Sequence, residues 1–307
     1  MMGLLAWFGK RATSALAVGV FVGLAIPDLA TLTRPLLVPA IVVMLIISLL
    51  RLDPTTLRAS LRSPTRTMLA VGFVLLISPL LGFWGAEVLG LTGGVRTALV
   101  VWTASPPLVS VTAIAVIVGL DSALALTVMT LCGLLMPLTL PPLVLSLIDL
   151  DLDIAPWVLS GRLAALMLGA ALAAAAIRRL TGPDRLNRAS DAIDGGFVLI
   201  MLVFVVSVMD GVTATALADP GRIAGLAALV FTVSLVMQAA GFLLFLPAGR
   251  RTAATIGLTA GNRNMAVVLS AAPSAFAPEV FLYLAMLQFP IYLLPAILRP
   301  LYRRLGQ

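Results

Sequence analysis

The chain has 307 residues, of which 61% are hydrophobic and only 11% are charged, and its mean hydropathy is +1.13. Soluble domains carry about 25% charged residues, so this composition excludes a soluble protein and predicts an all-α membrane protein without an attached soluble domain. The net charge of +7 does not indicate nucleic-acid binding, because the arginines collect in a few predicted loops. With no histidine and one cysteine, Cys132, the chain lacks the usual zinc ligands and catalytic pairs, and we do not expect an enzyme.

Apolar runs of about 20 residues recur along the whole chain, and each is long enough to cross ~30 Å of hydrocarbon. Lipid admits only helices or closed barrels, and these runs are too long and continuous for barrel strands. We therefore predict ten transmembrane helices in a single domain over residues 1–307. In chain order, the predicted spans 1 to 10 are 13–31, 35–51, 67–90, 97–118, 122–147, 156–177, 195–214, 222–247, 253–272 and 278–299.

The distribution of arginines predicts the orientation of these spans. Alternate connections carry most of the basic residues, namely Lys10 and Arg11, Arg51 to Arg66, Arg178 to Arg188, Arg250 and Arg251, and Arg299 to Arg304. The other connections hold few arginines and the acidic sequence DLDLD at 149–153. The positive-inside rule then places both termini in the cytoplasm and the protein in the cytoplasmic (inner) membrane. No signal peptide is expected, because the first basic pair is followed by a span without a cleavage site.

The two halves of the chain have the same layout, and an odd number of spans in each half makes them inverted repeats. The fourth span of each half is interrupted ~15 Å from its start, near the bilayer midplane. Paired interruptions of this kind mark the binding site of secondary transporters. The interruptions are TASPPLVSVT at 103–112 and TAGNRN at 259–264, and the candidate substrate or ion-binding residues are Ser105, Pro106, Pro107, Ser110, Thr112, Thr259, Gly261, Asn262, Arg263 and Asn264.

Arg263 is the most unusual of these residues. An arginine at the bilayer centre costs at least ~2.5–3.5 kcal/mol, and the guanidinium cannot lose its charge. It must therefore face the interior, either holding the unwound carbonyls of span 4 or pairing with Asp210, or receiving an anionic group of a substrate. Asp210 is the one acid placed inside a span, and its possible roles are counter-ion, proton carrier or solvated helix end. Gln238 and Gln288 are expected to form hydrogen bonds between helices.

Three stretches resemble the bile acid:sodium symporter family. RLDPTTLRASLRSPTRTMLAVGFVLLISPLLGF, at 51–83, is similar to that family's loop into span 3. TASPPLVSVTAIAVIVGLDSALALTVMT, at 103–130, is similar to its broken fourth span and the turn into span 5, and TAGNRNMAVVLSAA, at 259–272, to its broken ninth span. The resemblance covers essentially the whole chain. It implies ten helices, a panel domain of spans 1, 2, 6 and 7, and a core domain of spans 3–5 and 8–10 in which the broken helices cross.

The resemblance is weakest at the positions that hold sodium in that family. Pro106, Gly261 and Asn264 match family residues, but the sodium-ligand positions are occupied here by Val74, Val111 and Thr112, Ala125, Met129, Thr259 and Arg263. A guanidinium and a sodium ion ~4 Å apart repel by roughly 4 kcal/mol at an effective dielectric constant of 20. We therefore predict that Arg263 takes the place of a bound sodium ion. Transport would then not be coupled to sodium in the family's usual way.

These observations predict a secondary active transporter, symporter-like, or a facilitator that moves a small organic anion across the membrane by alternating access. The alternative is a non-transporting membrane sensor or scaffold with the same fold. The expected partners of this protein are the small organic anion and the lipid bilayer, and we expect a monomer or a homodimer. No cofactor is expected. The coupling ion, sodium or proton, stays open, as do the cargo and the direction of transport.

Overall fold

The computed structural model describes residues 12–51, 64–148 and 155–306. Helices make up 89% of the structure, and the described residues contain no β-sheet. The predictions that involve Lys10, Arg11, Arg58, Arg62 and the acidic stretch at 149–153 lie outside the described residues.

The helices are α1 (Ala12–Ala25), α2 (Pro27–Thr33), α3 (Leu37–Leu50), α4 (Pro64–Gly72), α5 (Ser78–Val88), α6 (Gly93–Ala104), α7 (Ser110–Val118), α8 (Ser122–Ile148), α9 (Pro156–Thr181), α10 (Pro183–Arg188), α11 (Ser190–Val208), α12 (Val212–Ala218), α13 (Pro220–Phe245), α14 (Arg250–Gly261), α15 (Met265–Ala271), α16 (Pro278–Ile297) and α17 (Arg299–Gly306). A 3₁₀ turn, Arg34–Leu36, joins α2 to α3, and a π-helical turn, Phe73–Ile77, joins α4 to α5.

Seven helical segments of the described chain are long and apolar enough to cross a membrane, as the composition predicts. They correspond to predicted spans 2, 3, 5, 6, 7, 8 and 10. The segments are Pro27–Leu50, Pro64–Val88, Ser122–Ile148, Pro156–Thr181, Ser190–Ala218, Pro220–Ala248 and Pro278–Ile297. The boundary between predicted spans 1 and 2 differs from the prediction, because α1 ends at Ala25 and Pro27 begins a new helix. Proline lacks a backbone N–H and is favoured in the first turn of a helix.

Predicted spans 4 and 9 are each divided into two shorter helices. Ser105, which precedes two prolines, has an extended backbone (φ −70°, ψ 152°) and ends α6, because the proline ring disfavours helix in the residue before it. Asn262 is likewise extended and ends α14. The two unwound segments meet as an antiparallel β-bridge between Pro107 and Arg263.

Backbone hydrogen bonds hold the two unwound segments together. The N–H of Leu108 donates to the carbonyl of Asn262 (2.9 Å), and the N–H of Asn264 donates to the carbonyl of Pro106 (2.7 Å). Polar backbone groups inside a membrane must find partners within the protein, and here each interruption supplies partners for the other. We refer to this meeting point, residues 105–109 and 262–264, as the crossing point.

The helices pack in two groups. In the first group, α11 packs against α1 and α3, and α3 packs against α9, whereas α4 to α8 and α13 to α16 form the second group. The two groups contact each other most extensively where α9 packs against α8. Two ion pairs join α3 to α11 within the first group, one at each end: Arg34 with Asp210 (2.8 Å) and Arg51 with Asp194. Two more, Arg96 with Glu87 (2.5 Å) and Arg222 with Glu279 (3.7 Å), lie within the second group. Each of these pairs therefore lies within one group and does not link it to the other.

Candidate functional site

Arg263 is buried at the crossing point with 1% of its surface exposed. Its Nε donates to the carbonyl of Ala260 (2.7 Å), and its Nη1 donates to the carbonyls of Val74 (3.3 Å) and Ser105 (3.1 Å). Its Nη2 donates to the hydroxyl oxygen of Ser78 (2.7 Å). The guanidinium thus joins both broken spans to the α4–α5 segment through four neutral oxygens, and no ion pair of Arg263 occurs among the described residues.

The local structure of the α4–α5 segment explains why the Val74 carbonyl is free to accept from Arg263. In the π-helical turn, the N–H of Ser78 donates to the carbonyl of Phe73, five residues earlier. The next donor along the chain would be residue 79, and Pro79 has no N–H. The carbonyl of Val74 is therefore left without a helical donor. π-helical turns often occur at functional sites, and here the turn provides a ligand for a buried cation.

The structure separates the two interpretations of Arg263 that involve the protein itself. Its contact with the carbonyl of Ser105 is the predicted contact with the unwound part of span 4. The predicted pairing with Asp210 is wrong, because the Asp210 carboxylate instead accepts from Arg34 (2.8 Å) and from the hydroxyl of Thr31 (2.7 Å). The sequence predicted that Arg263 and Asp210 both lie inside spans. In the structure α11 ends at Val208, so Asp210 lies just beyond the end of the helix, where Arg34 is its partner.

The other positions that align with sodium ligands have apolar or internally bonded side chains. Val111 and Ala125 are fully buried in an apolar cluster with Leu258 and Tyr302, and Met129 is also buried. The hydroxyl of Thr259 donates to the carbonyl of Ile256 (2.8 Å). Sodium requires several oxygen ligands, so the residues at these positions do not fit a sodium ion. The described residues also contain no group of three or more His, Cys, Asp or Glu that could hold a metal.

A cavity of about 870 Å³ lies between the two groups of helices. Helices α3 and α11 form one wall, and α7, α8 and α16 form the other. The cavity extends from Ser110 at the crossing point to Arg51, Asp194 and Arg299 at the ends of α3, α11 and α16. Its lining is mostly apolar, with hydroxyl groups and charged side chains at its two ends. Ligand sites in helical membrane transporters have this combination of apolar walls and few polar groups.

A smaller chamber of about 70 Å³ adjoins this cavity at the crossing point. The two spaces share Ser48, Val109 and Ser110 in their linings. The chamber is also lined by Asn264 and by Gln288. We refer to it as the deep chamber, since it lies at the opposite end of the cavity from Arg51 and Arg299. Its volume suits a small chemical group, whereas the larger cavity has room for a bulkier molecule.

The predicted site residues divide into two sets. Ser110, Thr112 and Asn264 line the cavity or the deep chamber, and Arg263 borders the chamber while directing its guanidinium to protein oxygens. The rest are buried around the crossing point: Ser105, Pro106, Pro107, Thr259, Gly261 and Asn262. Gly261 has a packing role, because a Cβ there would lie 2.2 Å from Cγ of Gln238.

Sequence reasoning missed several residues of the site. One of them is Ser78, and the proline that follows it inside a predicted span could have indicated a third irregular helix. Ser48 and Gln288 line the deep chamber, but the direction of a polar side chain on an apolar helix cannot be judged from spacing alone. Comparison of the chain with known protein families and with curated proteins finds no match.

Proposed function

We propose that this protein is a secondary transporter or facilitator for a small organic anion, with ten membrane spans in two inverted repeats. The observation that carries the proposal is the cavity between the two groups of helices, which ends at the crossing point of two broken spans. Half-helix ends and unwound backbone at mid-membrane are the elements that secondary transporters use to bind substrates. The resemblance to the bile acid:sodium symporter family supports the same proposal.

The two groups of helices would serve as the moving parts. The first group corresponds to the proposed panel domain and the second to the proposed core domain. Ion pairs at both ends of α3 and α11 would help to keep these two panel helices together, and the cavity separates part of the panel from the core. Rocking of one unit against the other would expose the crossing point alternately to each side. The arginine-rich ends of α3 and α16 would face the cytoplasm, and the described conformation would then be the inward-open one.

Arg263 would act as a built-in cation in place of sodium. Three carbonyl oxygens and one hydroxyl oxygen surround its guanidinium, which is the kind of oxygen set that a hard cation binds. The covalently held charge would keep the crossing point assembled throughout the transport cycle. A sodium-driven mechanism would then lose its binding site. Asp210 lies outside both cavities and is paired with Arg34, which favours a facilitator over a carrier driven by protons through Asp210.

The anion would enter past Arg51 and Arg299 and settle near the N-terminus of α7. Arg263 would contribute little to substrate binding, since protein oxygens already use four of the five N–H donors of its guanidinium. Selection for a negatively charged substrate would therefore come from Arg51 and Arg299 in the cavity lining and from the N-terminus of α7 at Ser110. This assignment replaces the interpretation in which Arg263 receives the anionic group.

Uptake by proteoliposomes tests the proposal. Purified protein would be reconstituted and supplied with radiolabelled organic acids, including pyruvate and mandelate, in sodium or potassium buffer. We expect saturable uptake or counterflow of at least one acid, with rates in the two buffers within about twofold. Strict, saturable sodium dependence would contradict the role of Arg263. Specific binding without any flux would support the alternative, a membrane sensor or scaffold.

A further inference from the structure

Gln288 presents an unpartnered oxygen to the deep chamber. The residue lies on α16, is only 3% exposed and lines the chamber. Its Nε2 donates to the carbonyl of Leu284 (3.0 Å). A carbonyl can only accept, so the nitrogen side of the amide must face Leu284 and the Oε1 must point away from it. Among the described residues, no donor to this oxygen is found.

The neighbouring groups at the chamber complete a small polar site. The hydroxyl of Ser48 donates to the carbonyl of Met44 (2.6 Å), so its oxygen can only accept a further hydrogen bond. The side chains of Ser110 and Asn264 also line the chamber, and no hydrogen bond joins them to the rest of the described protein. The otherwise apolar lining of the chamber therefore includes acceptors at Ser48 and Gln288 and donors at Ser110 and Asn264.

The chemistry of these groups restricts what can fill the chamber. The Oε1 of Gln288 is open to the chamber, so whatever fills the chamber, a ligand or water, must supply a hydrogen to pair with it. A carboxylate alone accepts but does not donate, so it satisfies Ser110 and Asn264 and leaves Gln288 unpartnered. A hydroxyl next to a carboxylate satisfies both sides. A polar site of this kind discriminates strongly against an analogue that lacks the matching group.

We propose that Gln288 selects substrates that carry a hydroxyl group close to the carboxylate, so that the cargo class is the hydroxy acids. The carboxylate accepts from Ser110 and Asn264 near the N-terminus of α7, and the hydroxyl donates to Oε1 of Gln288. The apolar remainder of the molecule lies along the larger cavity, between Phe197 and Tyr292. This inference rests on the proposed function, because it assigns the substrate class of the same site.

Matched pairs of acids test the inference. Binding of mandelate and phenylacetate, and of lactate and propionate, would be measured by competition and by thermal stabilisation of the purified full-length protein. For wild type, we expect the hydroxy acid of at least one pair to bind about tenfold more tightly or better. The variant Gln288→Met keeps the shape of the side chain but has no amide. It should reduce the preference to below about twofold while changing the affinity for the plain acid less than about threefold.

Ser270→Ala is the matched control. Ser270 is a buried polar residue whose hydroxyl donates to the carbonyl of Val267 (2.8 Å), and it lines neither cavity. Its replacement should leave both affinities unchanged. A wild-type protein that binds each pair equally, or a Gln288→Met variant that keeps the preference, would overturn the inference and leave the proposed function standing. If the folded wild type binds none of these acids, both the inference and the proposed substrate class are wrong. The wild-type comparison is decisive even if the variant does not fold.

Discussion

The two sides of the crossing point differ in how their polar groups are satisfied. On the side of α5, the polar groups are fully buried and hydrogen-bonded to one another. Arg263 donates to the hydroxyl of Ser78 and to the carbonyls of Val74 and Ser105. On the side of the cavity, the side chains of Asn264, Ser110 and Gln288 are left with unused donors or acceptors. Buried polar groups are normally paired. The satisfied side therefore joins the two broken spans, whereas the unpaired side chains face the cavity, where the proposed function would have them bind a ligand.

The largest effect is expected from Arg263→Ala. The change leaves at least three carbonyls without their donor in a buried site, at ~1–3 kcal/mol for each unsatisfied group. We expect the free energy of unfolding to fall by at least ~3 kcal/mol, measured by thermal or denaturant unfolding in detergent. Arg51→Ala, which breaks the half-exposed pair with Asp194, is the control and should cost at most ~1 kcal/mol. Equal losses for the two variants would show that Arg263 is not structural.

A smaller loss is expected from Ser78→Ala. The hydroxyl of Ser78 accepts a hydrogen bond from a charged group (2.7 Å), and such bonds contribute about 1.5–3 kcal/mol. Ser146→Ala is the control, because the hydroxyl of Ser146 is exposed and bonds only to its own helix. Unfolding of both variants under the same conditions should show a clear loss for Ser78→Ala and a change within ~0.5 kcal/mol for Ser146→Ala.

Sodium should partly restore the Arg263→Ala variant. Removal of the guanidinium leaves the oxygens of Val74, Ser105, Ala260 and Ser78 around a space of the right chemistry for a cation. At a sodium concentration of ten times its dissociation constant, the stabilisation would be about 1.4 kcal/mol. The measurement is the melting temperature in sodium chloride against potassium chloride at equal ionic strength. Wild type should show no difference between the salts, and an equal response of variant and wild type would count against the replacement of sodium by Arg263.

Asn264→Ala should have the smallest effect on stability and a large one on transport. The backbone N–H of Asn264 still donates to Pro106, and its side chain has no partner in the described protein. We expect the free energy of unfolding to change by less than ~0.5 kcal/mol and the uptake of organic acid to fall at least about tenfold. Melting curves and initial uptake rates on the same preparation measure both. A large loss of stability with unaltered uptake would reverse the assignment of the two sides.

Much of the helical architecture could be predicted from the sequence because hydropathy and proline act locally. Runs of apolar residues predict the seven membrane-length helices, and Pro106 and Pro107 predict where span 4 unwinds. The partners of Arg263 could not be predicted. Val74 and Ser78 lie 189 and 185 residues away in the chain, and their availability depends on a π-helical turn that no periodicity indicates. The pairing of Asp210 with Arg34, 176 residues apart, could not be predicted for the same reason.

The sequence by itself determined that this chain forms apolar helices, that two of them are interrupted, and that a permanent charge at 263 must be buried in the protein. These properties follow from side-chain polarity and from the missing N–H of proline, which act within one turn of helix. Only the tertiary structure decided which oxygens receive that charge and which polar side chains face the cavity. Both depend on the rotation and register of helices far apart in the chain, which packing sets and local sequence does not.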